Sequence, residues 1–209
     1  MTLYNSVPSI FLGTGFFKLK NQIKMSTLPI LEIPDPTLRK RAKKIRGLDK
    51  SMLKLAYDMV DTMHEAGGIG LAANQVGQLW RVIVIQMPEE EEARIYFNPE
   101  IVRAVGTREV EEGCLSLPGY RGLVNRSVWI RFQATDHSET TVKFKTEDLL
   151  SQALEHEVDH LNGILYTDHL VSHEQLYRID EQEFSTERDE EKISGNQNSL
   201  DTPASLKIK

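Results

Sequence analysis

His156-Glu157-Val158-Asp159-His160 sets two histidines four residues apart, with a glutamate beside the first. On a helix, residues four apart stand on one face, one turn up. Both imidazoles can then reach a single metal ion, and the glutamate sits where it can take a proton from metal-bound water. Around the motif, Leu149, Leu150, Ala153, Leu154, Val158 and Leu161 recur at three- and four-residue steps. That spacing predicts an amphipathic helix facing a core. A helix with two surface histidines gives the same short pattern by chance, so its meaning depends on the rest of the chain.

The only cysteine, Cys114, lies in Glu111-Glu112-Gly113-Cys114-Leu115-Ser116-Leu117-Pro118, after a glycine at the end of a strand-like run. A lone cysteine is usually a small buried apolar residue. Beside a paired-histidine motif it becomes a candidate ligand. Two imidazoles and a thiolate make three protein ligands and leave the fourth tetrahedral position open, as a catalytic metal needs. Ordinary zinc proteases with this helix motif take histidine or glutamate as third ligand instead.

The third feature is Gly68-Ile69-Gly70-Leu71-Ala72-Ala73-Asn74-Gln75. Read as G-x-G-x-x-A it suggests a dinucleotide fingerprint, but that motif must follow a strand and open a helix. Here a helical pattern precedes it. Glycine and alanine also let a backbone pass close to a ligand or another helix. Gln75 then offers a neutral amide that can donate a hydrogen bond.

The 209 residues suit one main domain with tails. Apolar residues are 40% and charged residues 27%, with a formal charge of −6, which argues against direct nucleic-acid recognition. No apolar run approaches the ~18 residues of a membrane span. A single cysteine excludes an intrachain disulfide and fits a reducing compartment, hence a cytoplasmic location. Residues 1–24 have no acidic residue and carry Lys18, Lys20 and Lys24. This extension fits an organellar transit segment, although arginine is missing, or an upstream start ahead of Met25. Residues 25–175 form the expected catalytic domain. Residues 176–209 are expected to be an acidic, disordered tail, because residues 171–209 hold nine acidic and five basic residues and few aromatics.

Between these ends, Leu28–Pro36 reads as extended chain closed by a proline turn, and Arg39–Arg46 as a solvated basic cluster. Asp49 or Ser51 caps a helix to about Glu65, with Leu55, Met59 and Met63 on its buried side. Strands are expected at Trp80–Gln86, Arg94–Phe97, Glu100–Val105 and Glu109–Leu115. Ser127–Ala134 and Thr140–Phe144 pair as a hairpin, and the metal helix starts near Thr146. The fold class is α+β, with antiparallel sheets packed around a central metal-binding helix.

Together GIGLAANQ, EGCLS and HEVDH closely resemble the three motifs of the peptide deformylase family, in order and at about its spacing, over roughly residues 25–175. The opening LPILEIPDPTLR, the FNPE segment and LNGILYTDH echo the same family. The resemblance implies a metal-dependent hydrolase that removes the formyl group from the N-terminal formyl-methionine of nascent peptides. Cys114, His156 and His160 match the metal ligands, and Glu157 the general acid/base beside a metal hydroxide. Gln75 and the Leu115 backbone N–H match the pair that binds the formyl oxygen. The resemblance favours Fe2+ as the single ion; the ligand set suits Zn2+ as well.

The family holds its peptide as an added strand through backbone beside Gly70 and Gly113. The implied methionine pocket is lined by Ile69, Val110, Leu149, Gln152 and Ala153, with His156 at its edge and Arg121 at its mouth. Gln152 and Glu155 depart from the family's usual residues, and Glu155 points away from the ligand face. Some members contact the ribosome through a basic C-terminal helix; the acidic end here departs from that. Behind the helix, Arg126 is expected to pair with Asp159. The rival readings are another amidase or metallopeptidase on the same site, separable by a formylated against an acetylated peptide, and a noncatalytic binding protein, against which the intact Glu157 argues.

Overall fold

The computed structural model describes residues 26–179. The helix α1 (Lys50–Glu65) begins where Asp49 Oδ1 accepts the N–H groups of Ser51 and Met52, both at 2.9 Å. This is the N-cap expected from sequence, and it satisfies donors the helix cannot. The helix buries Ala56, Tyr57, Met59 and Met63.

After α1 come β1 (Gly70–Ala72), β2 (Val82–Ile85), β3 (Arg94–Val105), β4 (Arg108–Cys114), β5 (Leu117–Arg126), β6 (Trp129–Thr135) and β7 (Thr141–Glu147). The helix α2 (Asp148–Leu161) and β8 (Leu176–Arg178) complete the α-helices and strands among the described residues. Two antiparallel sheets result, one in the order β1-β2-β3-β6-β7 and one in the order β4-β5-β8. With two long helices this is the expected α+β class.

The β-branched run of β2 explains how α2 becomes central. Side chains alternate across a strand. Val82 and Val84 pack with Met59 and Met63 of α1, while Ile83 and Ile85 pack with Leu150, Leu154, Val158 and Leu161 of α2. The larger sheet is thus covered on both faces, and all four β2 side chains are buried. Each such burial stabilises by roughly 1.5–3 kcal/mol relative to exposure.

Three expectations need correction, and one strand was not foreseen. Arg94–Phe97 and Glu100–Val105 are one strand, whose pairing with β6 shifts register between Phe97 and Glu100. Asn98, at φ 50, is absorbed there because its side chain bonds both the N–H and the carbonyl of Ile45 at 2.8 Å. Thr146 and Glu147 belong to β7, paired with Ile130 and Trp129, so α2 can start only at Asp148, where the chain leaves the ladder. The sequence LPGYRGLVNR forms β5 despite its proline and glycines. Gly122 lets Leu170 pack closely against the strand, since a Cβ would meet Leu170 Cδ2 at 2.5 Å and push that side chain aside. Residues 176–179, placed in the tail by composition, pair with β5 or follow that pairing, with Ile179 N donating to the Gly119 carbonyl at 2.9 Å.

The expectations for residues 1–24, for Met25 and for the tail beyond 179 lie outside the described residues. Among the described residues no helix is long and apolar enough to cross a membrane.

Candidate metal centre

Helical spacing brings His156 and His160 together edge to face, their ring planes at 75° and their Nε2 atoms 3.2 Å apart. The third donor arrives from the end of β4. The pairing of β4 with β5 shifts register between Gly113 and Cys114, and Cys114 Sγ lies 3.2 Å from His160 Nε2. All three donor atoms fall within 4.8 Å of one another. A tetrahedral cation with N bonds of ~2.0 Å and an S bond of ~2.3 Å would separate its donors by about 3.3–3.6 Å. The residues therefore fit one transition-metal ion.

Sequence reading missed the group that orients this set. Glu112 is two residues ahead of Cys114, hence on the same face of β4. Its Oε2 lies 2.9 Å from His156 Nδ1, which leaves Nε2 as the metal-facing nitrogen. Arg126 then holds Glu112 with two bonds, Nε at 2.7 Å and a terminal nitrogen at 3.0 Å. The same guanidinium bonds Asp159, the pairing expected from sequence. Both Arg126 and Glu112 side chains are only 3% exposed. The only signal in the sequence is an acidic residue at i−2 from the cysteine, too common to single out. Asn74 was missed too; its Nδ2 donates to the His160 carbonyl and ties the GIGLAANQ segment to the end of α2.

Glu155, expected to point away from the ligands, does so, and there it accepts from the backbone N and the Oγ of Ser127 at 3.1 and 2.8 Å.

Gln75 is aimed by its own turn. The Ala72 N–H donates to Gln75 Oε1 at 2.8 Å, which turns Nε2 toward Ser116 Oγ at 3.2 Å and Cys114 Sγ at 3.6 Å. Glu157 faces the same space from α2. It is 4% exposed, and its Oε2 has no partner among the described residues. Gly70 passes directly over it: a Cβ there would overlap Glu157 Oε1 and stand 3.0 Å from its Cδ. At Gly68 a Cβ would meet Leu115 Cδ1 at 2.7 Å. The glycines of the motif thus permit close approach, and the nucleotide reading finds no support in an antiparallel β1.

Burial sets the protonation of these groups. It raises Glu157 to about 7, helped by the Glu112 charge and opposed by His156 and Arg126. Burial, then the His156 charge, holds His160 well below the usual imidazole value, so it is neutral as a ligand must be. For His156 burial is the strongest influence and works downward, but hydrogen bonds with Cys114 and Glu112 outweigh it and raise the value well above the usual one. A proton and a metal ion therefore compete there. Glu112 is pushed up by burial, yet the bonds from His156 and Arg126 prevail and lower it to about 2.

A cavity of about 480 Å³ opens on these residues. Of the expected substrate contacts, Ile69, Gly70, Gly113, Arg121, Leu149, Gln152 and Ala153 line it, as do Gln75, Leu115 and Glu157. Val110 does not. It faces Val124 across the β4–β5 ladder, because β4 leaves the cavity at Glu111, whose carbonyl accepts from Gln152 Nε2 at 2.8 Å. Leu149, expected on the core face, is 43% exposed in the cavity wall. At the mouth, Arg121 pairs with Glu111 Oε1 at 2.8 Å, and the Tyr177 hydroxyl of β8 bonds the other oxygen. Ile179 also lines the mouth, a contact invisible in the sequence.

An α+β scaffold that gathers one sulfur, two imidazoles and an adjacent buried carboxyl at a cavity defines a metal-dependent hydrolase. Comparison with known proteins narrows this class. The family profile described as Polypeptide deformylase matches residues 27–176. A peptide deformylase of Dehalococcoides mccartyi (strain CBDB1) is 45% identical over 155 residues, covering 74% of this chain and 93% of that protein. One from Thermomicrobium roseum is 41% identical over 169 residues, covering 78% and 96%. The crystal structure of a peptide deformylase from Legionella pneumophila superposes with a TM-score of 0.68 at 36% identity, covering 83% of this chain and all of that one. The chain belongs to the polypeptide deformylase family.

Proposed function

We propose that this enzyme hydrolyses the formyl group from N-formyl-methionyl peptides, with Cys114, His156 and His160 holding the ion. The observation that carries the reading is the meeting of these donors with Glu157 and Gln75 Nε2 at one cavity. When bound, a divalent cation there supplies the Lewis acidity that lets water attack an amide carbonyl near neutral pH. Glu157 takes the proton of the attacking water and passes it to the leaving amine, so water and formamide become formate and a free N-terminus. A residue with a pKa near 7 suits both steps. Gln75 Nε2–H, held by the Ala72 N–H, donates to the formyl oxygen as charge builds on it, with the Leu115 N–H as second donor. Gly70 and Gly113 give the peptide backbone an edge to pair with.

We also propose Fe2+ as the native ion, on the ground of the family resemblance; the sulfur and two imidazoles themselves suit ferrous iron and zinc alike. Nascent chains in a reducing compartment are the proposed substrate pool. Peptide hydrolysis by anaerobically purified enzyme, with metal analysis, tests both. Turnover of formyl-Met-Ala-Ser with the acetylated peptide inert supports the reading. Equal turnover of the acetylated peptide would replace it with a general amidase.

A further inference from the structure

A second cavity, of about 590 Å³, lies on the other side of α2 from the metal ligands. From that helix it is lined by Glu155, Val158, Asp159 and Asn162, the residues at three- and four-step spacing on the opposite stripe. Arg81, directly before β2, enters it from the sheet, and Arg41 and Lys44 enter from the basic cluster.

Arg81 is the unusual group. It is 5% exposed, and its terminal nitrogens donate to Asn162 Oδ1 at 3.0 Å and the Pro99 carbonyl at 2.9 Å. Both acceptors are neutral, and Nε has none among the described residues. Arg41 stands close enough to repel it; burial first, then that like charge, lowers the Arg81 pKa, and the Glu100 charge opposes them only in part. The acidic groups of the cavity are engaged elsewhere. Glu100 pairs with Lys44 at 2.5 Å, Asp159 with Arg126 and with His169 at 3.0 Å, and Glu155 accepts the two donors of Ser127. Glu100 acts on Arg81 only at a distance, and among the described residues no carboxylate bonds the guanidinium; a buried cation so weakly matched is costly for a fold to retain. The remedy is a partner from solution.

We propose that this cleft binds a small phosphate-bearing anion between the guanidinium groups of Arg81 and Arg41. Guanidinium geometry suits the paired oxygens of a phosphate, and Lys44 adds a point charge at the rim. The volume exceeds that of a bare phosphate and leaves room for a carried group such as a sugar. The cleft faces away from the formyl-hydrolysing site across α2, and Arg126 and Asp159 in its wall also belong to the network behind His156, whereas Arg41 and Arg81 do not contact that network.

The test is titration of the metal-loaded full chain with inorganic pyrophosphate at low salt, followed by calorimetry, beside a parallel titration with a short oligouridylate. One saturable site, weakened at least about tenfold in R41E, abolished in R81M and weakened by added salt, is the expected result. Formyl-peptide turnover should be unchanged in R41E. Arginine-dependent saturation by either probe supports the phosphate site, and the preferred probe identifies the source. No saturable binding, or equal affinity in wild type and R41E, overturns the proposal. Since Arg41 is exposed at the rim, R41E decides even if R81M fails to fold.

Discussion

Glu112→Gln separates the oriented metal centre from a merely adjacent one. The substitution keeps the shape of a buried side chain and removes its charge. Two losses follow. His156 loses the carboxylate 2.9 Å from Nδ1, and outer partners of this kind are typically worth about 10–100-fold in metal affinity. Arg126 loses its two-pronged partner while retaining Asp159. The stability term follows from the acidity of Glu112. Its value falls from 4.5 to about 2 on folding, and at ~1.4 kcal/mol per pH unit that is about 3 kcal/mol. A depressed carboxyl stabilises the fold above pH ~4.5 and loses that contribution as pH falls toward about 2. The variant should therefore be about 3 kcal/mol weaker at pH 7, a Tm lowered by about 6–12 °C for a chain of this size. Its stability should also fall less steeply than wild type between about pH 5 and about pH 3. Chelator competition measures the first loss; thermal denaturation of the metal-free protein at both pH values measures the second. Metal affinity within about twofold of wild type, with an unmoved Tm, would refute the orienting role.

Glu157→Gln should lower kcat by about 10²–10⁴-fold with metal content unchanged, and full turnover in that variant removes the assigned base. In wild type the base must be ionised, so the rate should fall as pH drops through the Glu157 value. That value is about 7 in the ion-free site, and a bound cation moves it lower, which a pH–rate profile reads directly. Gln75→Ala should cost about 10²–10³-fold in kcat with KM little changed, since the amide acts where charge develops; a pure KM effect would reassign it to ground-state binding. Gly70→Ala forces a Cβ against Glu157, and a displacement of about 1 Å there should cost on the order of 10²-fold in kcat/KM; wild-type kinetics would show that the carboxyl is not held in place by this contact.

Local chemistry made part of this protein legible. Apolar steps of three and four marked α1 and α2, the β-branched run marked β2, and Asp49 marked a helix start, because each pattern is a property of one segment against water. The histidines four apart fixed their own geometry, since a single helical turn does so. The distant sulfur was a candidate only by its chemistry. Tertiary structure decided the rest. Whether Cys114 reaches the imidazoles depends on the register shift at the end of β4, and that register comes from pairing with β5, a strand whose glycines and proline give no local signal. The same holds for Glu112, for the Val110 side chain turned to Val124, and for β8 at the cavity mouth. These placements are set by contacts between segments far apart in the chain, and a contact between two segments is written in neither of them alone.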